Sequence, residues 1–325
     1  MSDIKMIEAA ADRARGHVRR TPLLSSPFLD EIARRRVLVK AECLQHTGSF
    51  KFRGAWSALS GLAPERRRAG VLAFSSGNHA QGVALAAKLH GVPATIIMPQ
   101  DAPALKIDNT RAFGAEVVLY DRAGREKREE IGARLQAERG LTLIRPYDEP
   151  LVIAGQGTCG LEIAEQAAEQ GVTEAEVLSC CGGGGLTSGI ALALEARAPR
   201  MRVRPVEPER FDDTARSLAS GGIVRNSGPE TGFCDAILTP SPGEITFPIM
   251  AARCGPGLVV SDAEVRAAMR LAAARLKLVI EPGGAVALAA ALFHGDALEG
   301  DAVIATASGG NVDLALYSEV LSEAA

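Results

Sequence analysis

The segment Thr47-Gly48-Ser49-Phe50-Lys51-Phe52-Arg53-Gly54-Ala55 sets one lysine between two aromatics in a short, glycine-flanked stretch, just after the strand-like run Val37-Leu38-Val39-Lys40. A surface lysine needs no such setting. A lysine that sheds water, loses its proton and forms an imine with an aldehyde does. Lys51 is therefore the first candidate for catalysis.

Two kinds of loop could serve it. Cys181-Gly182-Gly183-Gly184-Gly185-Leu186 follows a strand-like run and opens a helical one. Consecutive glycines let backbone N–H groups converge on an anion, and a helix N-terminus adds favourable potential. No Lys-Ser/Thr follows, so this is not a nucleotide P-loop, and the acidic residue of a dinucleotide fingerprint is poorly matched. The alternatives are a phosphate cradle and a plain glycine turn. Ser75-Ser76-Gly77-Asn78-His79 also ends a strand and starts a helix. Its hydroxyls, amide and free N–H groups suit a carboxylate or a phenolate oxygen, or simply cap the helix. Ser308-Gly309-Gly310-Asn311 again ends a strand. In open α/β sheets ligands collect beyond the carboxyl ends of strands, so these loops and Lys51 are expected to face one crevice.

The elements that must position them alternate strand and helix. Val71 to Phe74, Ala94 to Pro99, Glu116 to Tyr120 and Thr142 to Ile144 read as strands, with helices over His79 to His90, Ala104 to Phe113 and Arg122 to Arg139. Ala175 to Ser179, Arg202 to Val206 and Ala302 to Thr306 continue the strands, and Leu186 to Arg197 is a helix. This is the βαβ rhythm of parallel sheets covered by helices. Between them Pro205 to Gly257 is rich in Gly, Pro and Ser and reads as irregular substrate loops.

The chain has 325 residues, enough for two lobes, with 47% hydrophobic and 23% charged residues and a net charge of -3. That charge leaves no footprint for nucleic acid. The basic run Arg66-Arg67-Arg68 after Pro64-Glu65 reads as a solvated helix face. No apolar run is long enough for a membrane span. The six cysteines fit no zinc spacing, and the mixed, charged N-terminus is no signal peptide, so a cytoplasmic protein with reduced thiols is expected.

Ser49 to Ala55, Ser75 to His79, Gly182 to Gly185 and Ser308 to Asn311, together with Ala154 to Thr158 and Val279-Ile280-Glu281-Pro282, resemble the fold type II pyridoxal-phosphate enzymes. Among these the chain is similar to the threonine/serine dehydratase and serine racemase branch over nearly its whole length. The resemblance implies a two-lobed α/β fold of the tryptophan synthase β type. A small domain over 69–147 would be inserted in a large one, 1–68 with 148–325, and a homodimer is expected.

It also implies roles. Lys51 would bind the cofactor covalently and act as general base. Phe50, Gly182, Gly183, Gly184, Gly185, Leu186, Asn78 and Glu281 would hold the cofactor, with Ser308 at the pyridine nitrogen. A hydroxyl there does not favour a protonated ring, which weakens the electron sink and suits elimination better than transamination. Ser75, Ser76, Gly77, His79 and Thr239 would bind the substrate, and Ser76 would carry a proton on the face opposite Lys51. Glu207, Phe211 through its carbonyl and Asp213 would hold Mg2+ or Ca2+; a solvated acidic turn is the alternative.

The implied reaction is β-elimination of water from L-threonine or L-serine, with the hydroxyl protonated through the cofactor phosphate, giving a 2-oxo acid and ammonia. The partner would be a small hydroxy-amino acid. The alternatives are 3-hydroxyaspartate dehydratase and serine racemase. A β-replacement transferase is disfavoured by the asparagine loop and the uniform glycine loop, and a non-catalytic binder by the presence of Lys51. Gly283-Gly284 stand where such enzymes carry a bulkier, hydroxyl-bearing pair, so a roomier pocket is expected. Side-chain contacts to substrate are expected from 228–248, and no C-terminal regulatory domain is expected after the Ser308 loop.

Overall fold

The computed structural model describes residues 2–323 except 103, 122, 123, 125 and 228–230, and for residue 105 the backbone alone. Ten strands are described: β1 (Leu23–Ser25), β2 (Arg36–Lys40), β3 (Val71–Phe74), β4 (Ala94–Pro99), β5 (Glu116–Tyr120), β6 (Thr142–Leu143), β7 (Ala175–Cys180), β8 (Met201–Pro208), β9 (Leu258–Val260) and β10 (Ala302–Thr306). They form two sheets, a six-stranded one ordered β1-β2-β10-β7-β8-β9 and a four-stranded one ordered β5-β4-β3-β6. Every described pairing between these strands is parallel except β1 with β2.

Parallel strands buried on both faces need continuous apolar runs, and these have them. Alternate residues of one strand enter different cores, as the two-residue period of a strand requires. Leu38, Val177, Val203 and Ile304 pack with Cys159, Ile163 and Ile190 of the helices Pro150–Glu169 and Gly185–Arg197. Their neighbours Val39, Leu178, Val206 and Ala305 pack with the helix Pro282–Phe293. Alanines at 285, 287 and 289–291 of that helix are wholly buried, so small side chains let it lie close on the sheet. The scarcity of aromatics is met in this way.

The helix Lys51–Gly61 begins two residues after Ser49, which forms an isolated antiparallel bridge with Gly309. Before it the chain turns sharply: Thr47 and Gly48 have φ of +59° and +72°. A Cβ on Gly48 would stand 2.6 Å from Asn311 Oδ1, so glycine serves both the left-handed backbone and the close approach. Beneath the helix lies a largely buried ion network. Arg53 donates to both oxygens of Glu42 (2.7 and 2.8 Å), both oxygens of Glu162 (2.7 and 2.8 Å) and Thr158 Oγ1 (3.1 Å). Lys40 Nζ adds bonds to Glu162 Oε2 (2.6 Å), Gln166 Oε1 (2.8 Å) and the Thr21 carbonyl (2.7 Å). Two cations thus meet two carboxylates with their hydrogen-bonding capacity largely used, the condition under which buried charge is tolerable.

Several sequence expectations need correction. The stretch 205–257 is not irregular throughout, since it holds the helices Asp213–Ser220 and Thr246–Arg253. At eight residues each, they are shorter than the window over which a helical period is read. The helix expected from Arg122 begins at Arg128, because Asp121 and Glu126 close a turn through their side chains, Glu126 Oε2 accepting from Asp121 N and Asp121 Oδ1 from Gly124 N; residue 122 lies outside the described residues. The strand expected to reach Ile144 ends at Leu143. The arginine run, in contrast, lies within the helix Pro64–Ala69 with Arg66 and Arg68 exposed, as a solvated helix face would. No helix among the described residues is long and apolar enough to cross a membrane, and all six cysteines are free.

Candidate active site

Lys51 is the first residue of its helix, so its side chain leaves from a helix N-terminus at the rim between the sheets. Its Nζ donates to the Pro146 carbonyl at 2.9 Å and stands 5.1 Å from the centroid of the Phe50 ring. Burial pushes its ammonium down to about 8, against the opposing pull of Glu281. About a tenth of the amine is therefore neutral at pH 7, far more than for an exposed lysine, as a nucleophile or base requires.

Hydrogen bonds tie the loops around this lysine. Phe50 N donates to the Ser308 carbonyl (3.1 Å), and Ser308 N to the Gly284 carbonyl (3.2 Å). Asn78 Nδ2 donates to Glu281 Oε1 (2.6 Å), while Asn311 Nδ2 donates to Asn78 Oδ1 and the Thr47 carbonyl, both at 2.7 Å. The lysine, asparagine, Glu281 and Ser308 segments thus form one connected structure. Glu281 is buried, which raises its carboxyl to about 7 despite the Asn78 bond.

Gly184 has φ of +87° and caps the helix Gly185–Arg197. Among the described residues, the N–H groups of Gly182, Gly183 and Gly184 donate to no backbone carbonyl, and the first N–H groups of the helix have no intrahelical partner. The loop is pressed between the Tyr147 ring, which a Cβ on Gly183 would overlap, and the Ile237 carbonyl, 3.2 Å from a Cβ on Gly182. Thr246 Oγ1 fixes it from below by donating to the Gly183 carbonyl at 2.6 Å. This unpaired donor set at a helix mouth can hold a phosphate monoester.

Ser75, Ser76, Gly77 and Asn78 are partly exposed at the mouth of the helix Asn78–His90. A Cβ on Gly77 would meet nothing within 4 Å, so the mouth is open. The His79 ring, in contrast, is buried and bonds the Ile144 carbonyl through Nε2 at 2.9 Å. Burial, then the charge of Lys51, drives it down to about 3, so it stays neutral and supplies no proton. Thr239 is tied into its own loop: its N donates to the Ile237 carbonyl (3.0 Å), and its carbonyl accepts from Asn226 Nδ2 (2.9 Å). Its hydroxyl is buried without a partner.

Glu207 is the penultimate residue of β8, and Asp213 opens the helix Asp213–Ser220. The Glu207 oxygens accept from Thr214 N (2.9 Å) and Ala215 N (2.7 Å). Burial pushes Glu207 up to about 8 and Asp213 up to about 6. Asp213 Oδ2 is buried with no hydrogen-bond partner, so it is free to act as an oxygen ligand. Yet only two side chains contribute with the Phe211 carbonyl, and no cluster of three or more His, Cys, Asp or Glu able to hold a metal occurs among the described residues.

Sequence reasoning missed several participants. Tyr147 and Asp148 follow Pro146; Asp148 accepts from the backbone of Glu244, Ile245 and Thr246 at 3.2, 2.8 and 3.2 Å and so ties the crevice to the 241–246 turn. The Pro-Tyr-Asp triplet just before a helix was the only available signal.

The profile of the family described as "Pyridoxal-phosphate dependent enzyme" matches residues 14–309. The chain belongs to the pyridoxal-phosphate dependent enzymes. It is 46% identical over 312 residues to an L-threo-3-hydroxyaspartate ammonia-lyase of Pseudomonas sp, covering 96% of each chain. It is 42% identical to a serine racemase of Schizosaccharomyces pombe, covering 98% of this chain and 96% of that one. Among solved structures, a threonine deaminase of T.th. superposes with a TM-score of 0.90 at 47% identity, over 96% of this chain and 99% of that one. The family is thus a fold type II one whose members here are ammonia-lyases and racemases. The open donor set of the glycine loop and the depressed Lys51 fit the family's cofactor.

Proposed function

We propose that the protein is an ammonia-lyase that converts a β-hydroxy-α-amino acid to a 2-oxo acid and ammonia, with L-threo-3-hydroxyaspartate as its preferred substrate. The observation that carries the reaction class is Lys51: a largely buried amine, near half-neutral at about 8, where the Asn78, Glu281 and Ser308 segments converge. The substrate reading is supported by relatives of that name in Pseudomonas sp and Saccharomyces cerevisiae, 46% and 45% identical.

Lys51 is the residue that would carry pyridoxal phosphate, with the backbone N–H groups of Gly182 to Leu186 on its phosphate, Asn78 and Glu281 beside it, Phe50 against it and Ser308 at its nitrogen. When bound, the cofactor supplies the electron sink that acidifies the substrate Cα–H. The open N-terminus of the helix Asn78–His90, with Ser75, Ser76 and Gly77, holds the substrate carboxylate. His79 contributes there through its backbone N–H, since its ring is turned to Ile144. Lys51 takes the α-proton, the β-hydroxyl leaves with a proton as water, and the freed enamine hydrolyses to the 2-oxo acid and ammonia. Glu207, Asp213 and the Phe211 carbonyl form a site for Mg2+ or Ca2+, supported by the unpaired Asp213 oxygen. The division into a small domain, 69–147, and a large one, 1–68 with 148–325, is supported by the separation of the two sheets.

L-threonine and L-serine form a second reading, favoured by the 47% identical threonine deaminase structure. The test is a panel of L-threonine, L-serine, D-serine and the hydroxyaspartate isomers, with and without Mg2+, scored for 2-oxo acid and for enantiomers. The highest kcat/KM with L-threo-3-hydroxyaspartate supports the proposal. Oxo acid chiefly from threonine and serine replaces the substrate. Enantiomer interconversion outrunning oxo acid formation makes the protein a racemase.

A further inference from the structure

Lys106 belongs to the helix Ala104–Ala112, whose Ile107 is buried in the same core as Val71, Ala73 and Ile96 of the four-stranded sheet. Its side chain nevertheless crosses to the other half of the molecule, where Nζ stands 3.1 Å from Asp235 Oδ2. The receiving turn, Asp235–Ile237, is a wall of the crevice. Besides the Ile237 carbonyl against Gly182, the Ala236 Cβ and Ile237 Cγ1 stand 3.2 and 3.3 Å from a Cβ on Gly283, two residues after Glu281. Burial is what chiefly raises Glu281, but Asp235 adds to the rise and Lys106 opposes it more than Lys51 does. Lys106 is therefore a second cation at a wall of the crevice, held on the turn that packs against Gly182 and Gly283.

We propose that Lys106 determines specificity by pairing with the β-carboxylate of a dicarboxylic substrate, with Asp235 as its counter-ion at rest. The inference rests on the reading of 3-hydroxyaspartate as the substrate. That molecule differs from serine by one carboxylate on Cβ. Its amine goes to the position of Lys51 and its α-carboxylate to the helix mouth at Asn78, so the remaining charge must meet its own cation before water is expelled. The side chains of Lys106 and Asp235 are 25% and 58% exposed, so the pair is open to exchange, and accessible pairs of this kind hold weakly. Gly283 leaves the adjoining wall without a side chain. With serine or threonine the lysine stays on Asp235, which lets one crevice accept both neutral and acidic side chains.

The test compares kcat/KM for L-threo-3-hydroxyaspartate and L-serine in cofactor-loaded wild type, Lys106→Met, Lys106→Arg and Asp235→Asn, with calorimetric binding of succinate as a readout independent of turnover. Losing one charge-assisted bond should lower the hydroxyaspartate-to-serine ratio roughly 10- to 100-fold in Lys106→Met and weaken succinate by a similar factor. Lys106→Arg should restore most of the ratio, and Asp235→Asn should raise it. An unchanged ratio and succinate affinity in Lys106→Met overturn the assignment while leaving the substrate reading intact. A ratio that falls equally in Asp235→Asn also overturns it, because the pair is then a strut between the two halves. Wild type that turns over serine but not hydroxyaspartate removes the substrate reading and the proposal together.

Discussion

Replacing Arg53 by methionine tests whether the buried ion network, rather than the aromatic flanks alone, holds the turn that carries Lys51. Arg53 is 2% exposed and Glu42 is 0% exposed. The substitution keeps most of the side-chain volume but leaves two carboxylates against one lysine. Glu162 retains Lys40, whereas Glu42 keeps only Thr21 Oγ1 at 2.5 Å as a side-chain partner. Removing one member of a buried pair costs about 3–5 kcal/mol, because the other charge stays buried without compensation. Against a total stability of roughly 5–15 kcal/mol, and at about 1.5 °C per kcal/mol for a chain of 325 residues, the melting temperature should fall by about 4–8 °C.

The pH dependence sharpens the test. In the wild type, burial by itself would raise Glu42, but Arg53, with Lys40 and Thr21, outweighs it and holds the carboxyl below its usual range. A depressed carboxyl contributes stability that is present above its unfolded value and lost as pH falls through the folded one. Without Arg53, burial prevails and the carboxyl is raised. Its contribution is then present below the unfolded value and lost as pH rises. Thermal melts at one scan rate from pH 5 to 8 should therefore show Arg53→Met losing stability with rising pH relative to wild type. Arg53→Met/Glu42→Gln should remove that slope and recover much of the loss. A drop under about 2 °C, or a slope parallel to wild type, refutes the reasoning, since it would mean water reaches Glu42 and the burial argument fails.

Four further outcomes follow from the site. Cofactor uptake by the apoprotein, followed by absorbance, should accelerate as pH rises through about 8, where Lys51 loses its proton; Glu281→Gln should move that midpoint downward because the carboxylate opposes the depression, and an unmoved midpoint would discount the coupling. Gly183→Ala should weaken cofactor binding at least roughly 10-fold, since its Cβ would overlap the Tyr147 ring; equilibrium titration with unchanged affinity would mean that Tyr147 moves aside freely. Mg2+ or Ca2+ should raise the wild-type melting temperature and leave Asp213→Asn unmoved, because the unpaired Asp213 oxygen is the open ligand; equal shifts in both would place the ion elsewhere. Ser76→Ala should lose racemisation and D-serine use while keeping some L-serine elimination, and equal loss of all activities would end that division of labour.

What could be read in the sequence was whatever is encoded locally. The parallel sheets announced themselves because strands such as Val303 to Ala305 are short apolar runs closed by glycine or proline. Lys51 stood out because its neighbours have no reason to surround a solvated lysine, and the glycine loop because four consecutive glycines leave a run of bare backbone between a strand and a helix. The direction of the His79 ring could not be read. Its place after Asn78 suggested a group facing substrate, but a side chain one position further round a helix start turns inward, where the Ile144 carbonyl receives it.

What stayed hidden depends on pairs that are distant in the chain. Lys40, Glu42, Arg53 and Glu162 read separately as ordinary charges, and only the crossing of β2 with the helices Lys51–Gly61 and Pro150–Glu169 makes them one network. Lys106 and Asp235 lie 129 positions apart on different halves of the molecule. The same distinction separates reaction class from substrate. The chemistry of Lys51 is written in its own nine-residue segment, whereas choice of substrate depends on which charges the two sheets bring across the crevice. Relatives with this fold carry names that differ in substrate, and on the proposal made for Lys106 the cation facing Asp235 would supply the information that the motifs lack.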